Sequence, residues 1–167
     1  MGYNNNETLF LIKEKSLSKK LKSLIDNMKL KKQDAFLVPR ADMYSAEEVP
    51  DNEERLKYIS NFSGSAGYAV ISANSYVKSV IFSDGRYELQ LKKEVDAKNF
   101  DCLNGGFKDV CLFLNANEKK LKNIAIDPWL LTLKQYELLK GLLKGSKIKF
   151  EFVDKNLIDE IWVKKNL

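Results

Sequence analysis

Histidine is absent from this chain of 167 residues. Imidazole is the usual general base of serine and cysteine hydrolases and a common ligand of catalytic metals. Its absence therefore excludes the Ser-His-Asp and Cys-His systems from this segment, together with imidazole metal sites. Any catalysis here would have to use carboxylates, lysine or tyrosine.

Cysteine is also scarce, with only Cys102 and Cys111 present. Two thiols do not form the disulfide framework of a small secreted domain, and each of them has apolar neighbours. We interpret both as reduced, buried thiols in a reducing compartment. A single disulfide or a thiol nucleophile is the alternative, and the nucleophile would lack its imidazole partner.

Long apolar runs are missing as well. The stretch Leu9-Phe10-Leu11-Ile12 falls far short of the roughly 18 residues that a membrane span needs. No small-residue cleavage site follows it, so we expect no signal peptide. These observations and the two thiols predict a cytoplasmic protein without a membrane partner.

Acidic residues are fewer than basic ones, 23 against 28, which gives a net charge of +5. Lysine pairs recur among acidic residues along the chain, at Lys19-Lys20, Lys31-Lys32, Lys92-Lys93 and Lys119-Lys120. Aromatic residues do not alternate with them as a base-stacking platform requires. We interpret the lysines as solvated surface and expect no nucleic-acid partner, with a basic nucleic-acid binder as an alternative hypothesis.

The chain does contain an alternation of short apolar runs with amphipathic segments. Strands are predicted at 35–38, 68–72, 79–83, 99–103, 124–126 and 148–152, and helices at 16–28, from Asp51 onward, and at 87–95, 107–115, 132–143 and 157–162. Only six residues separate the second and third strands, which favours an antiparallel hairpin. The alternation predicts an α/β domain in which a mixed β-sheet has helices on both faces.

Three local patterns have ordinary structural interpretations. Asp51 with Glu54, and Thr132 with Gln135, have the spacing of helix capping boxes. An acidic group around Asp51 suits a helix N-terminus better than a metal site. Its members are Glu47, Glu48, Asp51, Glu53 and Glu54. The segment Gly64-Ser65-Ala66-Gly67 lacks the lysine of a phosphate loop, so we predict a tight turn whose glycines adopt positive φ.

The segment Asp84-Gly85-Arg86-Tyr87 connects the end of a predicted buried strand to a helix. Such strand ends are where α/β proteins place functional groups. Asp84 suits the turn as a capping residue, and Arg86 presents a planar guanidinium that binds carboxylates through two hydrogen bonds. A structural Asp84–Arg86 pair and a ligand-facing arginine both fit this pattern.

Two motifs resemble the N-terminal domain of Xaa-Pro aminopeptidases of the pita-bread metallopeptidase family. They are Tyr58-Ile59-Ser60-Asn61-Phe62-Ser63-Gly64-Ser65-Ala66-Gly67 and Phe82-Ser83-Asp84-Gly85-Arg86-Tyr87-Glu88-Leu89-Gln90. The similarity extends in order from Asp34 to Trp162 and includes Asp42, Glu47, Glu53, Arg55 and the segment Ile126-Asp127-Pro128. The chain departs from the family at Arg40, where a small residue is usual, at Tyr44 (histidine in some members), at Asn61 (commonly glycine) and at Glu88 (usually aromatic).

The resemblance implies a creatinase-type three-layer domain that is not itself catalytic. It also implies that no catalytic residue and no metal ligand lies in this chain, because the histidine that the family's metal site requires is missing. It implies a flexible N-terminus at 1–15, the domain at 16–153, and a final helix with the start of a connection at 154–167. Gly64, Gly67, Asp84, Gly85 and Tyr87 would be structural, and Arg86 would lie closest to bound peptide.

For the parent protein, the resemblance implies a missing middle domain and a missing catalytic domain with two divalent metal ions, typically manganese. That parent would be a cytoplasmic homodimer that removes the first residue from peptides whose second residue is proline. This domain would aid dimerisation and shape access to the active site. A free-standing peptide- or protein-binding module without catalysis is the alternative.

Overall fold

The computed structural model describes residues 18–163. Its helices are α1 (Lys19–Leu30), α2 (Arg55–Ser60), α3 (Glu88–Glu94), α4 (Phe107–Ala116), α5 (Leu133–Leu142) and α6 (Leu157–Ile161). Its strands are β1 (Ala35–Pro39), β2 (Tyr68–Ser72), β3 (Ser79–Ser83), β4 (Phe100–Asn104), β5 (Asn123–Ile126) and β6 (Lys149–Phe152). The predicted flexible N-terminus at 1–15 and residues 164–167 lie outside this range.

The six strands form one sheet in the order β4-β3-β2-β1-β5-β6. Strand β2 is antiparallel to β1 and β3, and all other neighbours are parallel. The predicted mixed sheet and the predicted β2–β3 hairpin are therefore confirmed. Five of the strands end on the same side, which we call the carboxyl edge; the side on which these five begin is the amino edge.

The sheet is covered on both faces, as the sequence predicts. Alternate residues of each strand point to opposite faces, so Phe36 and Val38 pack with α1, α2, α3 and α6. Ala35 and Leu37 of the same strand pack with α4 and α5 on the other face. Two apolar clusters thus hold the central strands, and β1 is buried along its whole length.

The two cysteines lie on opposite faces of this sheet. Cys111 of α4 is fully buried in one cluster, and Cys102 of β4 is half-buried against the other. Both are free thiols. Burial raises the pKa of the Cys111 thiol to about 11. Burial and the nearby Asp101 carboxylate also raise the pKa of Cys102. The sheet between them keeps the two sulfurs from pairing.

The helix predicted from Asp51 is wrong in its start. Asp51–Glu53 form a short 3-10 turn, and α2 begins only at Arg55 without a side-chain cap. The acidic side chains have other partners, because Glu53 accepts a hydrogen bond from Arg55 and Glu54 from Arg40. The predicted box at Thr132 and Gln135 is confirmed, with reciprocal bonds of 3.1 and 3.0 Å.

Strand β6 is mostly exposed. Phe150 is half-buried, whereas Phe152 remains 47% exposed because β6 is the last strand of the sheet. The Phe152 ring instead contacts Tyr136 of α5, with 5.5 Å between centroids. Within α5, Leu139 is buried and Tyr136 and Leu142 only partly, and Leu143 is buried directly after the helix.

Candidate functional site

Asp84 and Arg86 lie at the carboxyl edge, directly after β3. Asp84 caps the short 3-10 turn Gly85–Tyr87 by accepting the backbone N–H of Arg86 at 3.0 Å. The guanidinium then folds back, and Nε and Nη2 donate to the two oxygens of Asp84, both at 2.9 Å. The structural Asp–Arg pair that the sequence left open is therefore present.

The pair is charged and solvated. The hydrogen bond with Asp84 raises the pKa of Arg86, and the hydrogen bond with Arg86 lowers the pKa of Asp84. The Arg86 side chain is 76% exposed. A guanidinium has five N–H groups, and Asp84 takes two of them. Three donors of Arg86 thus face solvent with a fixed orientation, an arrangement suited to an anionic ligand.

Tyr87 connects this turn to the segment Gly64–Gly67. Its hydroxyl is hydrogen-bonded to the Ser65 hydroxyl. Its ring packs edge-on against Phe62, at 5.9 Å between centroids and 84° between planes. The aromatic pair fixes the position of the Asp84–Arg86 turn relative to the end of α2.

The prediction of positive φ at Gly64 and Gly67 is wrong. Neither glycine has a positive φ. Glycine is needed for space instead: a Cβ at Gly64 would overlap the Phe62 ring, and one at Gly67 would lie 3.1 Å from that ring. Gly85 has no comparable constraint, since its nearest neighbour, the Asn104 amide, would be at an ordinary 3.6 Å.

Glu94 holds the same turn from α3. Its carboxylate accepts the Ser63 backbone N–H at 2.8 Å, the Ser63 hydroxyl at 2.7 Å and the Gln90 amide at 3.1 Å. Burial raises the pKa of Glu94, but these hydrogen bonds outweigh it and the net pKa is lowered. The charged carboxylate therefore stabilises the wall of the site.

Arg40 is a site residue that the sequence marks only as a departure from the family. Its side chain is 12% exposed and donates to Glu54 at 2.8 Å and to the Ser65 carbonyl at 3.0 Å. It thus joins the end of β1 to the start of α2 and to the glycine turn. No sequence signal reveals this contact, because Arg40 and Glu54 are paired only by the fold.

Large apolar side chains are exposed along the carboxyl edge. Seven of the twelve in the described chain stand there, at Met43, Tyr44, Leu89, Leu103, Trp129, Leu133 and Phe152. Trp129 is 68% exposed and Leu133 72%, and each lies in a turn whose backbone N–H groups are capped by Asp127 or Thr132. Such a concentration is typical of a surface that contacts another protein unit or a ligand.

Residues 18–163 contain no group of three or more cysteine, aspartate or glutamate side chains placed to hold a metal ion. The acidic group at 47–54 is divided, because Glu53 and Glu54 are bonded to different arginines. In the same range, no helix is long and apolar enough to span a bilayer.

Comparison with known proteins agrees with this architecture. The profile of the creatinase/prolidase N-terminal domain family matches residues 20–161. The chain is 35% identical over 148 residues, 87% of its length, to a probable Xaa-Pro aminopeptidase P of Laccaria bicolor, and covers 22% of that protein. It is 32% identical over 162 residues, 94% of its length, to Xaa-Pro aminopeptidase 1 of Dictyostelium discoideum, and covers 25% of that protein.

Solved structures show the same fold. The X-prolyl aminopeptidase of Caenorhabditis elegans, a cytosolic enzyme with a di-nuclear active site, superposes with a TM-score of 0.75 at 26% identity, covering 89% of this chain and 26% of that enzyme. The N-terminal domain of the cytoplasmic peptidase PepQ of Mycobacterium tuberculosis gives 0.68 at 18% identity, covering 86% and 98% of the two chains.

The chain spans about a quarter of the length of the curated relatives it matches. The family profile matches residues 20–161, and this range contains all six strands of the sheet, the glycine turn and the Asp84–Arg86 turn. The chain belongs to the creatinase/prolidase N-terminal domain family and corresponds to the N-terminal domain of the Xaa-Pro aminopeptidases that it resembles.

Proposed function

We propose that this domain is non-catalytic and that its carboxyl edge shapes access to the active site of a parent Xaa-Pro aminopeptidase. The parent hydrolyses the first residue from peptides with proline second, is cytoplasmic, and acts as a homodimer that this domain helps to form. The supporting observation is the carboxyl edge itself, which carries both exposed apolar side chains and a solvated, oriented arginine.

The chemistry belongs to the part of the parent beyond this segment. Residues of that part would hold two divalent metal ions, manganese by resemblance, and the ions would supply the Lewis-acid chemistry of peptide hydrolysis. This chain's residues would act on the substrate's position only. Arg86 would attract a carboxylate of the peptide or a neighbouring acidic group through its three remaining N–H donors.

The exposed apolar side chains give this proposal its second component. Trp129 and Leu133 are mostly exposed, so most of their apolar surface makes no packing contact within residues 18–163. Burying such side chains against another unit would be favourable by roughly 25 cal/mol per Å² of apolar surface. We infer that they contact the catalytic part of the parent.

A test of the arginine uses Arg86→Ala in the full-length parent with a proline-second peptide. We expect KM to rise about tenfold with a smaller change in kcat, because the lost group orients substrate without taking part in bond cleavage. Lys92→Ala, which removes another exposed cation on the adjoining helix, is the matched control and should leave KM unchanged. Unchanged kcat and KM in the Arg86 variant would refute this role.

A test of the apolar surface uses Trp129→Ser with Leu133→Ser. We expect the isolated chain to keep its stability, because both side chains are exposed, whereas the parent should lose activity and thermal stability. Leu112→Ser, at a side chain 47% exposed on α4, is the control away from the edge. Full activity and stability of the double variant in the parent would contradict the proposed contact.

A further inference from the structure

The amino edge carries a cluster of exposed lysines in the segments that lead into β1, β5 and β6. Its members, which we call the amino-edge cluster, are Lys32, Lys119, Lys120, Lys122, Lys144, Lys147 and Lys149. The fold brings them together: the Lys149 N–H donates to the Lys122 carbonyl at 2.7 Å, and the Asn123 amide donates to the Lys32 carbonyl at 3.3 Å. They are far apart in sequence but adjacent at one end of the sheet.

The positive charge of this cluster is only partly neutralised by nearby carboxylates. Hydrogen bonds from Ser146 and Lys147 lower the pKa of Glu118, and the charges of Lys147 and Lys119 contribute to the same shift. Within the described part of the chain, none of the seven ammonium groups has a carboxylate oxygen within 4.0 Å. Three carboxylates stand nearby and accept hydrogen bonds from amides: Asp34 from the backbone of Lys122 and Asn123, Glu118 from that of Lys147, and Glu151 from the Gln33 side chain. Seven cations against three anions leave a surplus of four, most of the chain's net charge of +5.

Two strongly exposed apolar side chains flank the lysines. Tyr76, in the β2–β3 turn, is 74% exposed, and its ring lies 5.8 Å from Nζ of Lys120. Leu30, at the end of α1 and two residues before Lys32, is 84% exposed. The amino edge therefore combines unpaired cations with apolar tips, whereas Lys78 farther along the edge is paired with Asp101.

We propose that the amino edge binds an anionic membrane surface. Lysines close to a leaflet of acidic lipids are attracted to its negative surface potential, and Leu30 and Tyr76 suit insertion at the headgroup boundary. This departs from the expectation, drawn from the sequence, that the chain has no membrane partner. Binding would be peripheral, and the carboxyl edge at the opposite end of the sheet would stay free.

The composition of the cluster favours lipid over nucleic acid. It contains lysine alone and no arginine, so it lacks the planar groups that bind phosphates through two hydrogen bonds and stack on bases. Among residues 18–163, Tyr76 is the one exposed aromatic residue at the amino edge, and single-strand binding uses several aromatic residues in succession. A phosphate backbone offers the apolar Leu30 side chain no apolar contact, whereas the acyl chains below a lipid headgroup layer do.

The test measures co-sedimentation of the 167-residue chain with vesicles of phosphatidylcholine alone and with about a third phosphatidylserine. We expect binding to the acidic vesicles only. Raising the salt concentration from roughly 0.05 to 0.5 M should weaken this binding strongly, because salt screens the charges. The triple variant Lys120→Glu, Lys122→Glu, Lys147→Glu should lose at least about tenfold in partition coefficient. Leu30→Ser with Tyr76→Ser should lose several-fold at every salt concentration.

The control makes the same charge change elsewhere, with Lys93→Glu, Lys108→Glu, Lys134→Glu, all exposed and away from the cluster. It should retain most of the binding, and circular dichroism checks that each variant is folded. Absence of binding to acidic vesicles by the unmodified chain, or equal losses in the two triple variants, would overturn the proposal. Binding to a single-stranded oligonucleotide but not to vesicles would overturn it as well.

Discussion

At the scale of single residues, Asn61 shows how this chain accommodates a departure from its family. Asn61 ends α2 with φ 65° and ψ 0°, in the left-handed region, and its N–H is bonded to the Lys57 carbonyl at 2.8 Å. Glycine adopts this conformation most easily, and asparagine is the next most tolerant residue. Position 61 therefore requires a left-handed backbone conformation, and asparagine tolerates that conformation in place of the family's usual glycine.

This interpretation predicts different outcomes for two substitutions at position 61. Asn61→Gly should change the free energy of unfolding by less than about 1 kcal/mol, whereas Asn61→Val should lower it by about 1–2 kcal/mol, because a β-branched residue is strained at positive φ. Urea denaturation measures both. Asn115→Val, at an exposed position in the last turn of α4, is the control and should lower the free energy of unfolding by only a few tenths of a kcal/mol, on the order of the helix-propensity difference. Equal losses at 61 and 115 would refute the backbone explanation.

Glu94 has a second effect at this scale, on the pH dependence of stability. Its hydrogen bonds with Ser63 and Gln90 place its folded-state pKa below the ordinary value of 4.5. A group of this kind stabilises the fold above its unfolded-state pKa, and the contribution is lost as pH falls through the folded-state pKa.

Glu94→Gln should therefore be less stable than the unmodified chain at pH 7, by about 1 kcal/mol. The difference should shrink below pH 4.5 and disappear once the carboxyl is protonated in both states. Urea denaturation as a function of pH measures this, with Glu137→Gln on the exposed face of α5 as the control. A stability difference that stays constant down to pH 3 would contradict the assignment.

At the scale of elements, α6 is held to the domain by a polar clasp as well as by apolar packing. Arg55 of α2 is nearly buried and donates to both carboxylate oxygens of Asp159, at 3.0 and 2.9 Å. Trp162 stacks on Tyr58 at 4.7 Å, and Leu157 and Ile158 are fully buried. A sequence division at 154 stays a prediction, but α6 is packed into the same core as α1.

Removal of one partner from this clasp should be costly. Asp159→Asn leaves the Arg55 charge only partly paired, because Glu53 remains, and it should lower the free energy of unfolding by about 2–3 kcal/mol. Asp101→Asn, which breaks the solvated pair with Lys78, should cost less than about 1 kcal/mol. Equal costs for the two variants, measured by urea denaturation, would show that the clasp contributes no more than a surface pair.

The elements also show where prediction from sequence succeeds and fails. The strand at 68–72 and the capping box at Thr132 depend on local pattern, so they could be read from the chain. The start of α2 could not, because Glu54 is taken by Arg40, a partner that only the fold supplies. The exposure of Phe152 depends on which strand is last in the sheet, and that order follows from distant pairings.

The candidate site divides in the same way. The turn at Asp84 could be predicted from the sequence, because a polar strand-to-helix connection is a local signal. For Arg86 the sequence left two interpretations open, a structural pair with Asp84 and a ligand-facing arginine. The structure shows the pair with Asp84 and leaves the guanidinium exposed, and a ligand at Arg86 stays a prediction. The space requirement at Gly64 was missed because it depends on how the Phe62 ring packs.

At the scale of the whole molecule, the sheet separates two chemically different edges. The carboxyl edge combines apolar side chains with the Asp84–Arg86 pair, and the amino edge carries unpaired lysines. Five strands in a common direction produce this separation, because the segments before and after them gather at opposite ends. One domain could therefore face a catalytic unit on one side and an anionic surface on the other.

The most direct measurement is release of the first residue from a proline-second peptide in the presence of manganese, made on the 167-residue chain and on the full-length parent side by side. The parent should turn the peptide over, and the isolated chain should release nothing above the manganese-only blank. Release by the isolated chain would contradict the division between a domain that shapes access and a separate one that carries out the chemistry.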